Sequence, residues 1–149
     1  MILNELARLF WDRTTLHVWP EQYLLASLPH DLLAEAAALA GAASGTFVAL
    51  VMERDEVSLT IEREMWLASP LRLRALAENG PFRTITLDVN VDLDVVGYLA
   101  PAALALAEGG VSIIPQCACL KDHLLVHEKD LERAIETLNK FMHRSPRTV

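Results

Sequence analysis

Two stretches of this chain run through the same order of elements at an offset of 67 residues, which pairs Thr15 with Phe82, Thr46 with Ile113 and Asp55 with Asp122. Identities across the offset are few, so the match rests on element order and on turn position. A repeat of this kind constrains a fold more than any composition figure, because each copy must be one supersecondary unit.

The first copy opens with a β-prone run, Thr14–Trp19, closed by Pro20. A helix is predicted over Leu28–Ala40, with Asp31 as N-cap and Gly41 as its stop. Thr46–Glu53 and Val57–Arg63 read as a hairpin turning at Arg54-Asp55-Glu56, and Leu71–Glu78 as a second helix ended by Asn79-Gly80-Pro81. The second copy repeats this order. It has a strand over Phe82–Asn90 and a helix whose first turn lies within Val95–Gly97 and which runs to Glu108. A hairpin of Val111–Leu120 with His123–His127 and a closing helix over Leu131–Met142 complete it. In that last helix the apolar positions 131, 134, 135, 138, 141 and 142 make one stripe. Two β-α-β-β-α units predict an α+β chain of tandem ferredoxin-like (βαββαβ) modules, antiparallel sheets with helices on one face. The division is expected at 1–80, a degenerate first module, and 81–149, the second. Each copy lacks an obvious last strand, and open edges invite association, so strands are expected to be shared between halves or between chains.

Composition narrows the partners. Hydrophobic residues make up 52% and charged residues 22%, a globular balance. The net charge of -7 disfavours nucleic acid, which needs clustered Lys and Arg. MILNELARLFWDR lacks a basic first segment, and no apolar run reaches the length of a bilayer span, so no membrane association is expected and the location is expected to be cytoplasmic. Cys117 and Cys119 sit i,i+2 in one β-prone run and are expected to behave as small apolar residues rather than as a disulfide or metal site.

The segment Asp92-Leu93-Asp94-Val95-Val96-Gly97 is where strand gives way to helix. A helix start leaves backbone N–H groups without internal partners and favours a small anion. Asp94 is placed to cap it, Gly97 lets a ligand approach the backbone closely, and Asp92 with Asp94 could receive an ammonium group. Such a pairing of donors with carboxylates suits a zwitterion, that is, a free amino acid. The same residues would also serve as a plain cap, with Gly97 present for helix packing. Pro115-Gln116 marks an edge or bulge in its strand, either beside a ligand or at an irregular subunit edge.

The acidic turn and helix start in VDLDVVGYLAPAALALAEGGVSI, the hairpin in CACLKDHLLV and the following DLERAIETL resemble the ACT domain family, in particular paired stand-alone members related to cytosolic amino-acid sensors. DEVSLTIE resembles the first-repeat hairpin of that paired family. The resemblance implies a non-catalytic regulatory protein that binds an amino acid and acts through ligand-dependent association with itself or a partner, as a homodimer. No cofactor, metal or catalytic residue is implied. The binding segments it implies are Asp92, Asp94, Val95, Val96 and Gly97, then Ile113, Ile114, Pro115 and Gln116. His123 stands where close relatives tend to carry an aromatic residue, and the first copy has no counterpart of Gly97, so that copy is expected to be mainly a framework and dimerisation partner. Two alternatives are a structural dimerisation module with a vestigial site, and a small ferredoxin-like enzyme using Asp122, His123 and Cys117.

Overall fold

The computed structural model describes residues 5–143. The chain divides into two compact units, Trp19–Thr84 on one hand and Met1–Val18 with Ile85–Val149 on the other. Residues 5–18 therefore group with the second half, and the division falls between Thr84 and Ile85 rather than after residue 80.

The unit Trp19–Thr84 contains β2 (Tyr23–Leu28), α2 (Leu33–Ala42), β3 (Ala49–Met52), β4 (Val57–Glu62), α3 (Arg63–Ala68) and the start of β5 (Ala77–Asp88). Its strands lie in the order β3-β4-β2-β5, all antiparallel, which is the complete βαββαβ arrangement. The hairpin β3/β4 forms where the sequence predicts it, paired from Ala49↔Thr60 to Met52↔Val57. Three expectations fail here. The helix predicted from Leu28 starts only at Leu33, and Tyr23–Leu28, which the sequence reading assigns to no strand, is the first strand of the unit, paired with both β4 and β5. The helix over Leu71–Glu78 is not formed; a short 3-10 turn over Pro70–Arg74 gives way to β5, whose Ala77 and Glu78 pair with Ser27 and Ala26. Local helix propensity yields there to ladder pairing, as a weak prior does. Asp31 caps nothing; its carboxylate takes Arg74 Nη2 at 3.0 Å, and Gly41 lies inside α2 rather than beyond it. The core of this unit is built on Leu28, Val57, Leu59, Ile61 and Trp66, none of them exposed.

The other unit contains α1 (Glu5–Trp11), β1 (Thr15–Val18), the end of β5, α4 (Leu99–Glu108), β6 (Ile113–Cys117), β7 (Asp122–His127) and α5 (Leu131–His143). Its strand order is β1-β5-β7-β6. Counting from β5, this is the same βαββαβ arrangement, but the last strand comes from the start of the chain: β1 pairs with β5 from Thr15↔Asp88 to Val18↔Ile85. The missing strands are thus supplied by sharing within the chain. β5 closes one module with Ala77–Phe82 and opens the next with Ile85–Asp88.

Alternation along the strands decides which face is covered by helices. Ile85 and Leu87 of β5 join Leu124 and Val126 of β7, then Ala102 and Leu106 of α4 and Ala134 and Leu138 of α5, in one core. The apolar stripe of α5 read from the sequence is the face that enters it. β6 is an edge strand in unbroken register with β7, from Ile113↔Val126 to Cys117↔Asp122. Pro115 therefore marks an edge and not a bulge, since an edge position needs no ladder N–H. Among the described residues no helix is long and apolar enough to cross a membrane.

Candidate functional site

The cleft of this second unit lies where the β5–α4 connection meets the β6–β7 turn. Its volume is about 360 Å³. On one side are Val91, Asp92, Leu93, Val95, Gly97 and Tyr98 with the first residues of α4, on the other Cys117 to Asp122. The two walls are tied together by the Val91 N–H donating to the Leu120 carbonyl at 3.3 Å, and by an ion pair between Lys121 Nζ and Asp88 Oδ1. The ammonium of Lys121 holds the Asp88 carboxyl below its ordinary range. Within the first wall the Val95 N–H donates to the Asp92 carbonyl at 3.0 Å, closing a turn. The Ala118 N–H donates to the Lys121 carbonyl at 3.0 Å and closes the other.

Helix α4 begins at Leu99, beyond the Val95–Gly97 stretch where the sequence places its first turn, with Tyr98 as its N-cap residue and no side-chain cap. Asp94 therefore does not cap it. Pro101 falls in the first turn, where its missing N–H costs nothing. Gly97 has φ +81°, and a Cβ built there would meet nothing within 4 Å. The left-handed conformation explains why glycine stands here, and the space beside it belongs to the cleft.

Of the residues singled out from the sequence, Asp92, Val95 and Gly97 line the cleft. Asp94 and Val96 are exposed on the same connection but lie outside the lining. Ile113, Ile114, Pro115 and Gln116 occupy β6 short of the cleft, which that strand reaches only through its last residue, Cys117. Among the lining residues that sequence reasoning did not assign to ligand binding are Tyr98, Leu120, Lys121 and Asp122, the last of them named only for the enzyme alternative. The signal for the last two was present: a hairpin turn returns to the end of the strand before it, so it lies beside whatever that strand's neighbour carries.

Cys117 and Cys119 are free and exposed on the cleft wall, not packed as apolar residues on one strand face, because the strand ends at Cys117 and the turn carries Cys119 outward. Burial, and then a hydrogen bond to the Asp122 carboxylate, push the Cys117 thiol up to about 11. His123 follows Asp122 and so projects to the opposite sheet face, where its Nδ1 lies 2.8 Å from Thr86 Oγ1. Among the described residues no group of three or more His, Cys, Asp or Glu could hold a metal ion.

Burial also lowers the His123 pKa below the ordinary histidine value. The folded state then takes up that proton less readily than the unfolded chain, so stability is full above about pH 6.5 and falls as pH drops through that value toward the folded pKa. Urea unfolding of the parent and of His123→Gln, which keeps a hydrogen-bonding partner for Thr86 without the ionisation, is expected to show a flatter acid arm in the variant. Equal slopes below about pH 6.5 would contradict this assignment.

Fold and cleft together define a class: an α+β protein of tandem ferredoxin-like modules, with an open cleft at a strand-to-helix turn of the second. Residues 78–140 match the ACT domain model. The matched stretch begins in β5 and ends in α5, leaving the last strand to be provided by β1. No curated protein matches the chain in sequence. Among solved structures, the chain is similar to a Vibrio cholerae protein of unknown function (23% identity, 93% of this chain and 97% of that one, TM-score 0.70). It is similar also to an Agobacterium tumefaciens protein (22% identity, 85% and 87% covered, TM-score 0.66). A third likeness is to the ligand-free regulatory subunit of aspartate kinase from Thermus thermophilus (10% identity, 85% and 97% covered, TM-score 0.61). At these identities the likeness concerns the fold.

Proposed function

We propose that this chain is a non-catalytic regulatory ACT protein that binds a free amino acid in the cleft between the β5–α4 connection and the β6–β7 turn. The observation that carries the reading is the open space at Gly97 beside a helix start that no side chain caps. The first N–H groups of α4 and their end of the helix dipole suit a carboxylate. Asp92 and Asp122 on the cleft wall offer charge for an ammonium group. The likeness in fold to a regulatory subunit of aspartate kinase, and the match of residues 78–140 to the ACT domain model, support the regulatory reading. In this reading the chain works in the cytoplasm as a homodimer, and ligand changes its association with itself or a partner. The first module serves as framework.

An enzyme built on Asp122, His123 and Cys117 has less support. His123 points to the other sheet face from the Cys117–Asp122 pair, and a thiol pushed up to about 11 is a poor nucleophile near neutral pH.

The test is a thermal-shift screen of the common amino acids followed by calorimetry. A ligand at about 100 times its Kd adds about 2.7 kcal/mol to stability. At least one amino acid is expected to raise the melting temperature, and Gly97→Ala, which strains the left-handed turn at a cost of about 1–2 kcal/mol, is expected to abolish that rise while still folding. No shift with any amino acid would favour a structural module with a vestigial site.

A further inference from the structure

The cleft-lining residue Tyr98 is held from outside the family-matched stretch. Trp11, at the end of α1, donates its Nε1–H to the Tyr98 carbonyl at 2.7 Å and stacks on the Tyr98 ring, with centroids 4.7 Å apart and planes 18° from parallel. Thr14 Oγ1 lies 2.8 Å from the Tyr98 hydroxyl. The Thr14 proton goes to the Phe10 carbonyl, also at 2.8 Å, so the tyrosine hydroxyl is the donor of the pair. Phe141 of α5 closes the far side, its ring edge-on to Trp11 at 4.9 Å. Trp11, Thr14 and Tyr98 are all buried, so the two hydrogen bonds to Tyr98 sit away from water, where losing a partner leaves a polar group stranded.

Tyr98 occupies a critical place. It follows Gly97 in the chain and is the N-cap residue of α4, which lacks a side-chain cap. Its carbonyl, its ring and its hydroxyl are each engaged by the segment that also supplies β1. These three contacts fix where α4 starts and where the Gly97 backbone points, and they leave the first N–H groups of the helix uncapped.

We propose that Trp11 and Thr14 are positioning residues of the cleft, and that occupancy of the cleft and docking of the segment Glu5–Val18 stabilise each other through Tyr98. The second clause rests on the reading of the cleft as an amino-acid site; the first does not. Coupling of this kind is reciprocal: whatever the N-terminal segment contributes to affinity, the ligand returns to the docking of that segment.

The experiment uses the full chain as parent, Trp11→Phe, Thr14→Val and Thr14→Ser. Hydrogen exchange without ligand is read first. Trp11→Phe and Thr14→Val are expected to speed exchange at 95–102 by about tenfold or more, the factor a lost buried hydrogen bond carries. Amides of β6 and β7 are expected to stay as in the parent, and Thr14→Ser, which restores the hydroxyl, to behave like the parent. Calorimetry then uses the amino acid that gives the largest thermal shift with the parent. Its affinity is expected to fall by about tenfold or more in the first two variants and to be kept in Thr14→Ser, and in the parent it is expected to slow exchange in β1. If Trp11→Phe does not fold, the Thr14→Val and Thr14→Ser pair decides alone. Unchanged exchange at 95–102 in the variants, or affinity unchanged when the parent binds, would overturn the proposal and leave the amino-acid site standing. A parent that binds no amino acid while exchange responds as expected would instead remove the amino-acid reading and the coupling with it, and keep the positioning role.

Discussion

Trp66→Ala is expected to cost about 3–5 kcal/mol of folding stability, the range for removing a large buried aromatic side chain. Among the described residues Trp66 is the largest of the fully buried side chains, projecting from α3 into the core of the unit Trp19–Thr84. Its Nε1–H donates to Glu78 Oε2 at 2.8 Å, and that carboxylate also receives Arg72 Nε at 3.1 Å. The Trp66 bond, and then the one from Arg72, hold the Glu78 carboxyl below its ordinary range. Alanine would remove both the volume and the donor. Phenylalanine keeps most of the volume and loses only the donor, so Trp66→Phe is expected to cost about 1–2 kcal/mol. With a total stability of order 5–15 kcal/mol, the alanine variant is expected to be largely unfolded at moderate urea. An alanine variant within about 1 kcal/mol of the parent would mean that this core is not built around Trp66.

Gly80→Ala is expected to cost about 2–4 kcal/mol, combining overpacking with backbone strain. Between the pairs Tyr23↔Phe82 and Leu25↔Asn79 the register slips, so β5 carries one residue more than β2 over the same span. That extra residue is a bulge at Gly80-Pro81, where the strands approach closely. Gly80 has φ +142°, and a Cβ there would stand 2.6 Å from Leu24 Cδ2 and 2.9 Å from the Tyr23 carbonyl oxygen. The leucine tip can move, but the carbonyl belongs to a paired strand. Gly41→Ala is the contrasting case: it lies in α2, a Cβ would touch nothing within 4 Å, and about 0.5–1 kcal/mol is expected to be gained. Thermal or urea unfolding of the two variants, in opposite directions from the parent, checks the pair. A Gly80→Ala chain as stable as the parent would contradict the bulge geometry.

The two hairpins and α5 were legible because their signals are local. Arg54-Asp55-Glu56 and Lys121-Asp122 sit between β-prone runs, and the stripe at 131, 134, 135, 138, 141 and 142 has helical period. The cleft was legible in half. Gly97 announces itself because a residue without a side chain was needed at positive φ, and Asp92 and Val95 beside it also line the cleft. The other half was assigned to Ile113–Gln116, yet the structure brings in Cys117 to Asp122. Strand length and register decide how far along β6 the neighbouring connection lies, and neither is written in β6 itself.

Asn79-Gly80-Pro81 shows the same limit more sharply. By composition it is a stop signal, and the chain uses it as a bulge within a strand of twelve residues. Local sequence determined which short segments turn, which pair as hairpins and which helix face is apolar, since each of those rests on contacts a few residues apart. Tertiary structure alone decided that β1 would close the module begun by β5, that β5 would serve two modules, and that Trp11 would reach Tyr98. Those are contacts between distant positions. Several strands could offer backbone groups to the same open edge, and the packing of the whole unit selects one.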